Sequence, residues 1–327
     1  MTRLSRVALL LVLLGPPLLL PGCSSGPSIA KEFDRDFTVS GPVRLEISNA
    51  SGDVQITGSA DGKVHVHGTV RSAGMHFGDA QKAVTEAAAH PPVELKADTV
   101  RIGKDVVRLH NVSVVYKIEV PRNTEVTASV ASGSPTVSDV IGPVRIDTAS
   151  GSIHVDKVQK SVQASTASGS VEVSNTDDDV RATTASGNIT TANTRGDVRA
   201  TTLSGKISVG NPGGRVEASN ASGSIDIQGA ANDVKAQVAS GHIRVAGNPS
   251  ANGYWDIQTA SGNVEVSVPA GSNFHLSASN TSGEISADIP VVIEEQGKHT
   301  LRAHVGDGGG RVEIHTVSGK IHFRSSN

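Results

Sequence analysis

Cysteine is almost missing: Cys23 is the one thiol in 327 residues, so no disulfide can form within the chain. Aromatic residues make up 2%, with a single Trp. That excludes the bulky core of an ordinary globular enzyme and the aromatic platforms on which carbohydrate-acting β-helices hold sugars. Long apolar runs are lacking too. Val7 to Leu20, broken by Pro16 and Pro17, is too short for a comfortable membrane span. Neither charge sign dominates: 29 Lys and Arg stand against 32 Asp and Glu, a mildly acidic balance with no bulk electrostatic case for nucleic acid. No metal-ligand spacing and no phosphate-binding glycine loop is present, and no cofactor is implied.

What the chain has is a period. Ser-Gly recurs at Ser132, Ser150, Ser168, Ser186, Ser204, Ser222 and Ser240, an interval of eighteen residues six times running, and such a repeat has to be read before any local motif. Six residues before each Ser stands Val, from Val126 to Val234, and four before stands Ala except at Ile146. Three after come Ile153, Val171, Ile189, Ile207, Ile225 and Ile243. Each unit is therefore two short strands with period-two apolar faces, joined by a Ser-Gly bend because Gly accepts positive φ without steric cost. A looser turn follows, such as Asn175-Thr176-Asp177-Asp178 or Asn193-Thr194-Arg195-Gly196.

An antiparallel meander and a stacked β-solenoid both fit this parity. Roughly twenty strands in one open meander exceed what a twisted sheet tolerates and leave its apolar face bare, whereas a solenoid covers that face with the other half of its own coil. The expected fold is all-β: one parallel β-helix or β-solenoid of about 18 residues per coil, right-handed by the crossover rule. The left-handed hexapeptide helix is rejected because its apolar positions fall every six residues.

In chain order, 1–22 reads as a lipoprotein signal peptide, with Arg3 and Arg6 before the apolar run, and Leu20-Pro21-Gly22-Cys23 resembles a lipobox that would make Cys23 the lipidation site. Losing that segment leaves 27 basic against 32 acidic residues. Residues 23–32 read as a tether and 33–327 as the solenoid, divided into N-terminal coils and cap (33–130), regular repeats (131–245) and irregular C-terminal coils (246–327). The opening coil, through Asn49-Ala50-Ser51-Gly52, reads as separated from the main array, with Val64, Val66 and Val70 continuing it. Gly78 to His90 carries Ala80, Ala83, Val84 and Ala87 at helical spacing, predicting one short helix as an end cap. Val112 to Pro121 reads as the strand entering the array. Trp255 falls where other coils have Val, an inward slot. The final interval of 36 residues, to Ser318, reads as two coils with 291–304 irregular.

The opening coil, the helical interruption, Tyr116-Lys117-Ile118-Glu119-Val120-Pro121, the serial Thr-Ala-Ser-Gly units and the closing Thr316-Val317-Ser318-Gly319 together resemble the bacterial envelope family called domain of unknown function 4097, described as adhesins with β-strand repeats. The resemblance spans nearly all of the chain after the signal. It implies a solenoid on the cell envelope and transfers no catalytic residue.

Few residues point to chemistry. Arg145, Gln163, Arg181, Arg199, Glu217 and Lys235 stand five before the Ser. Arg145, Arg181, Arg199 and Lys235 would then form an outward cationic stripe able to meet an anionic envelope polymer. The competing reading is that their stems cover a Thr-rich sheet while their heads stay in water. His65 and His67 are two apart on one strand, but a metal site needs further ligands and the sequence places no third, so a solvated pair is the reading. Asp177-Asp178-Asp179 reads as a solvated acidic turn. The resulting expectation is a non-enzymatic, lipid-anchored binding, scaffolding or adhesin-like protein of the outer membrane, periplasm or cell surface. Its partners would be a membrane through Cys23 and an envelope polysaccharide or protein. The alternative is a polysaccharide-modifying enzyme on a parallel β-helix.

Overall fold

A computed structural model describes residues 29–39, 41–72, 77–103 and 112–326. The first portion holds β1 (Ala30–Thr38), β2 (Arg44–Ser51), β3 (Val54–Ser59), β4 (Lys63–Ser72), α1 (Phe77–Ala89), β5 (Val93–Lys96), β6 (Thr99–Ile102) and β7 (Val112–Pro121). The repeats supply β8 (Glu125–Ser132), β9 (Pro135–Val140), β10 (Val144–Ser150), β11 (Ile153–Val158), β12 (Val162–Ser168), β13 (Val171–Thr176), β14 (Val180–Ser186), β15 (Ile189–Thr194), β16 (Val198–Gly210), β17 (Val216–Ala230) and β18 (Val234–Gly247). Then follow β19 (Tyr254–Ser261), β20 (Val264–Pro269), β21 (Phe274–Ser282), β22 (Ile285–Ala287), β23 (Val292–Gln296), β24 (Thr300–Val305), β25 (Gly310–Ser318) and β26 (Ile321–Ser326).

The repeats stack as parallel ladders whose partners lie eighteen residues apart, Val144 on Val162 on Val180 in one sheet and Ile153 on Val171 on Ile189 in the other. The Val, Ala and Thr rows of the first sheet face the Ile and Val rows of the second across a thin core. In β16, β17 and β18 a single strand continues through the Ser-Gly corner and serves both sheets.

Those corners are why the coils register. Gly187 and Gly205 have φ of 148° and 141°, a region that side chains strongly disfavour. Gly187 N–H donates to Ser204 O of the next coil at 3.0 Å, and a Cβ on Gly205 would overlap the Gly187 carbonyl. Inside the corner, Thr166 and Thr184 donate their hydroxyls to the carbonyls of Gly151 and Gly169 at 3.1 and 3.0 Å, and Asn220 does so to Gly205 at 2.7 Å. At the opposite turn Asn175, Asn193 and Asn211 hold φ of 54°, 54° and 49°, a region that Asn tolerates better than most residues. Their amides form a ladder with steps of 3.1 and 3.2 Å, which ends on Asp156 at 2.7 Å. Partial burial of the Asp156 carboxyl is outweighed by hydrogen bonds from Ser174 and Asn175 and by the Lys157 charge, so its pKa is lowered.

Three expectations need correction. The opening coil is not separated from the array: β2 pairs with β8 and β3 with β9, an offset of 81 residues, while β6 and β7 lie on its far side. The strand β7 does enter the repeats, through the turn at 122–124 into β8, although β3 stacks between it and β9, and β4 runs antiparallel to it instead of continuing the coil. At the other end 291–304 is no coil, because β23 and β24 form an antiparallel hairpin on the outer edge of β21. The last coil lies between its predecessors: β25 pairs with β19 on one side and β21 on the other, at offsets of 57 and 36 residues. With the hairpin covering the outer edge, the returning chain occupies an inner position where both of its edges are paired.

The helix α1 packs on β1 and β4 and buries Ala80, Val84 and Ala87. The strand β1 begins at Ala30, inside the stretch assigned to the tether. It docks through Phe33, whose ring stands edge-on to Tyr116 at 6.2 Å and over Gly68, where a Cβ would strike that ring. Trp255 is fully buried between Val234 and Val312, as its position predicted, and its indole N–H reaches Asn232 O at 2.8 Å.

Two threonines of one coil should respond oppositely to Val. Thr191 lies between Val173 and Val209 with its buried hydroxyl unpartnered, so we predict that Thr191→Val stabilises by about 1 kcal/mol. Thr184→Val deletes the bond to Gly169 O and should cost about 1 kcal/mol. Urea melts of both variants check this, and shifts of one sign would contradict the corner assignment.

Candidate binding face

Alternation that buries Val144, Ile146, Val180 and Ala182 turns the residues between them outward. Arg145, Gln163, Arg181, Arg199, Glu217 and Lys235 are consecutive ladder partners, one strand spacing of about 4.8 Å apart. The geometry of the stripe is thus as the period predicts, but its charge is partly spent. Arg145 donates to Asp147 at 3.1 Å and to Gln163 at 2.9 Å, and Arg199 to Glu217 at 2.7 Å. Among the described residues, Arg181 and Lys235 have no carboxylate within ion-pair distance.

An open groove of about 530 Å³ runs along these rows, walled by Arg181, Arg199 and Arg215 and by Asp179 and Asp197. Each of the two aspartates accepts a backbone N–H from the following coil at 2.8 Å. Asp177 pairs with Arg195 at 3.0 Å. The acidic turn is therefore engaged in holding loops together. The row of Asp179 and Asp197 also contains Tyr254, whose hydroxyl donates to Glu313 at 2.6 Å, and that bond with partial burial pushes its pKa up to about 12.

Sequence reasoning missed a second shallow groove on the same face, near the corner. There Leu203 and Val317 are 59% and 57% exposed, at a position that most coils fill with Ala. The signal was in the repeat itself, since a Leu replacing Ala in an outward row has no core to enter. Together the two grooves present guanidinium, carboxylate, hydroxyl and amide groups in rows, an arrangement suited to holding an extended polar partner.

The family model for Toastrack DUF4097 matches residues 43–324. The chain belongs to this family. No curated protein matches it. Solved structures similar to it include a candidate cell-adhesion protein from Clostridium sporogenes, 11% identical over 90% of this chain and 100% of that one with a TM-score of 0.22. Candidate adhesins from Parabacteroides distasonis and Bacteroides fragilis are each 14% identical over 90% of this chain and 97% of theirs, with TM-scores of 0.32 and 0.31. At those scores the fold rests on the ladder register of the chain itself.

In this Toastrack chain the remaining sequence-derived positions fall apart from the stripe. His65 and His67 point outward from β4, at the N-terminal end of the second sheet, each against an aspartate of β1. Cys23 lies outside the described residues. Among the described residues no helix is long and apolar enough to cross a membrane, and no three His, Cys, Asp or Glu side chains are gathered as a metal cluster.

Proposed function

We propose that this chain is a non-enzymatic binding module of the bacterial cell envelope, a right-handed solenoid whose first-sheet outer face meets an anionic envelope polysaccharide or an envelope protein. The observation that carries this reading is Arg181, an exposed cation whose ladder neighbours Gln163 and Arg199 bring no acid and which lines an open groove, while Lys235 stands farther along the same ladder between Glu217 and Asp256. Unspent charge on a rigid row attracts a linear polyanion while losing little conformational freedom of its own. With polygalacturonate as probe, Arg181→Ala/Lys235→Ala should weaken binding about tenfold at low salt and leave the melt unchanged. Binding of the wild type should fall as salt rises, because the Debye length shrinks to about 8 Å at physiological ionic strength. Equal binding by variant and wild type would remove the stripe from the account, and steady release of oligosaccharides from the probe would favour the enzyme reading.

The membrane partner in this proposal is reached through a lipid on Cys23, which supports placement at the outer membrane, periplasm or cell surface. Multiple acyl chains anchor far more firmly than one. Cys23→Ala should accordingly shift the protein from the membrane fraction to the soluble or uncleaved pool. Unchanged fractionation with unchanged precursor size would contradict the anchor.

A further inference from the structure

The four-residue square at the N-terminal end of the second sheet is organised more closely than a pair of solvated histidines requires. Antiparallel pairing of β1 with β4 sets Asp34 opposite His67 and Asp36 opposite His65. His65 Nδ1 lies 2.6 Å from Asp36 Oδ1, and His67 Nδ1 lies 2.8 Å from Asp34 Oδ1. A ring nitrogen that donates to a carboxylate leaves the other nitrogen, Nε2, with its lone pair. Both imidazoles sit on one outward face, 38% and 37% exposed, two residues apart along one strand, a spacing of about 6.6 Å. Rings projecting from that separation can bring two Nε2 atoms onto one ion at about 2.0–2.1 Å each. Carboxylates behind the ligand imidazoles are how metal sites fix ring orientation and raise ligand basicity.

We propose that His65 and His67 bind one divalent transition-metal ion through their Nε2 atoms, with Asp34 and Asp36 as orienting partners. Imidazole donors suit copper, nickel and zinc, and Cu²⁺ leads that series in affinity. On the other flank Glu119 of β7 faces His65 and Lys117 faces His67. No third His, Cys, Asp or Glu is gathered with the two imidazoles among the described residues, so the remaining coordination positions are left to water. This binding would also tie β1, the strand next to the lipid-anchor segment, to the body of the stack through β4.

Titration of the purified full chain with CuCl₂ at neutral pH, followed by calorimetry and electron paramagnetic resonance, tests this. The expected result is one equivalent bound with splitting from two imidazole nitrogens. His65→Ala and His67→Ala should each abolish that splitting, and Asp36→Asn should weaken binding about ten- to a hundredfold while the two-nitrogen signal survives. Where an alanine variant loses its cooperative melt, His65→Gln and His67→Gln, which keep an outward amide on the strand, take its place. No uptake of Cu²⁺ by the wild type, or unaltered uptake by a folded variant lacking both histidines, would overturn the site.

Discussion

The contact between one coil's corner glycine and the carbonyl of the glycine before it sets the spacing of the whole stack. At Gly151, Gly169, Gly187 and Gly205 the backbone turns with φ between 141° and 148°, and the Cα of each lies so close to the previous corner that no Cβ fits. Because this approach repeats, the Val, Ala and Thr rows fall into ladders, and because the ladders hold, a core of small side chains can be closed. A chain with 2% aromatics cannot rely on bulky residues to fill space. It relies on identical shapes meeting at a fixed step.

Much of this is legible in the amino-acid sequence. The Ser-Gly interval, the inward Val and Ile rows, the helix near Ala80 and Val84, and the buried place of Trp255 all follow from local pattern. The order of coils at the two ends was not legible, for a physical reason. The coil ending at Ser318 carries the same rows as those ending at Ser261 and Ser282, so ladder complementarity does not tell which two neighbours it will take. Only the hairpin of β23 and β24, covering the edge of β21, leaves the inner slot as the place with both edges paired. The corner role of Thr166 and Thr184 was hidden as well, since a Thr in an apolar row looks like a packing compromise until its hydroxyl is seen on a glycine carbonyl.

The stripe and the histidine pair show how far a period can reach. Eighteen-residue spacing fixed that Arg145, Arg181, Arg199 and Lys235 share a row, and it said nothing about which acids would stand beside them. Asp147 and Glu217 engage two of the four and Lys235 stands between Glu217 and Asp256, leaving Arg181 to carry the binding reading. For His65 and His67 the missing partners are Asp34 and Asp36, about thirty positions earlier on a strand whose single deeply buried residue is Phe33. Cross-strand pairing of that kind leaves no mark in a local pattern.

The stacked corner is the claim on which the ladders, the grooves and the binding face all rest, and paired urea melts of Gly205→Val and Lys206→Val test it most directly. Gly205→Val places a side chain in a disfavoured backbone region and against the Gly187 carbonyl, which should cost on the order of 2–4 kcal/mol. Lys206, one residue on, is exposed and gives up only a surface ion pair with Asp226 at 3.2 Å, worth under about 1 kcal/mol. A clearly lower midpoint for the glycine variant alone is the predicted result, and equal midpoints would contradict the stacked corner and the solenoid built on it.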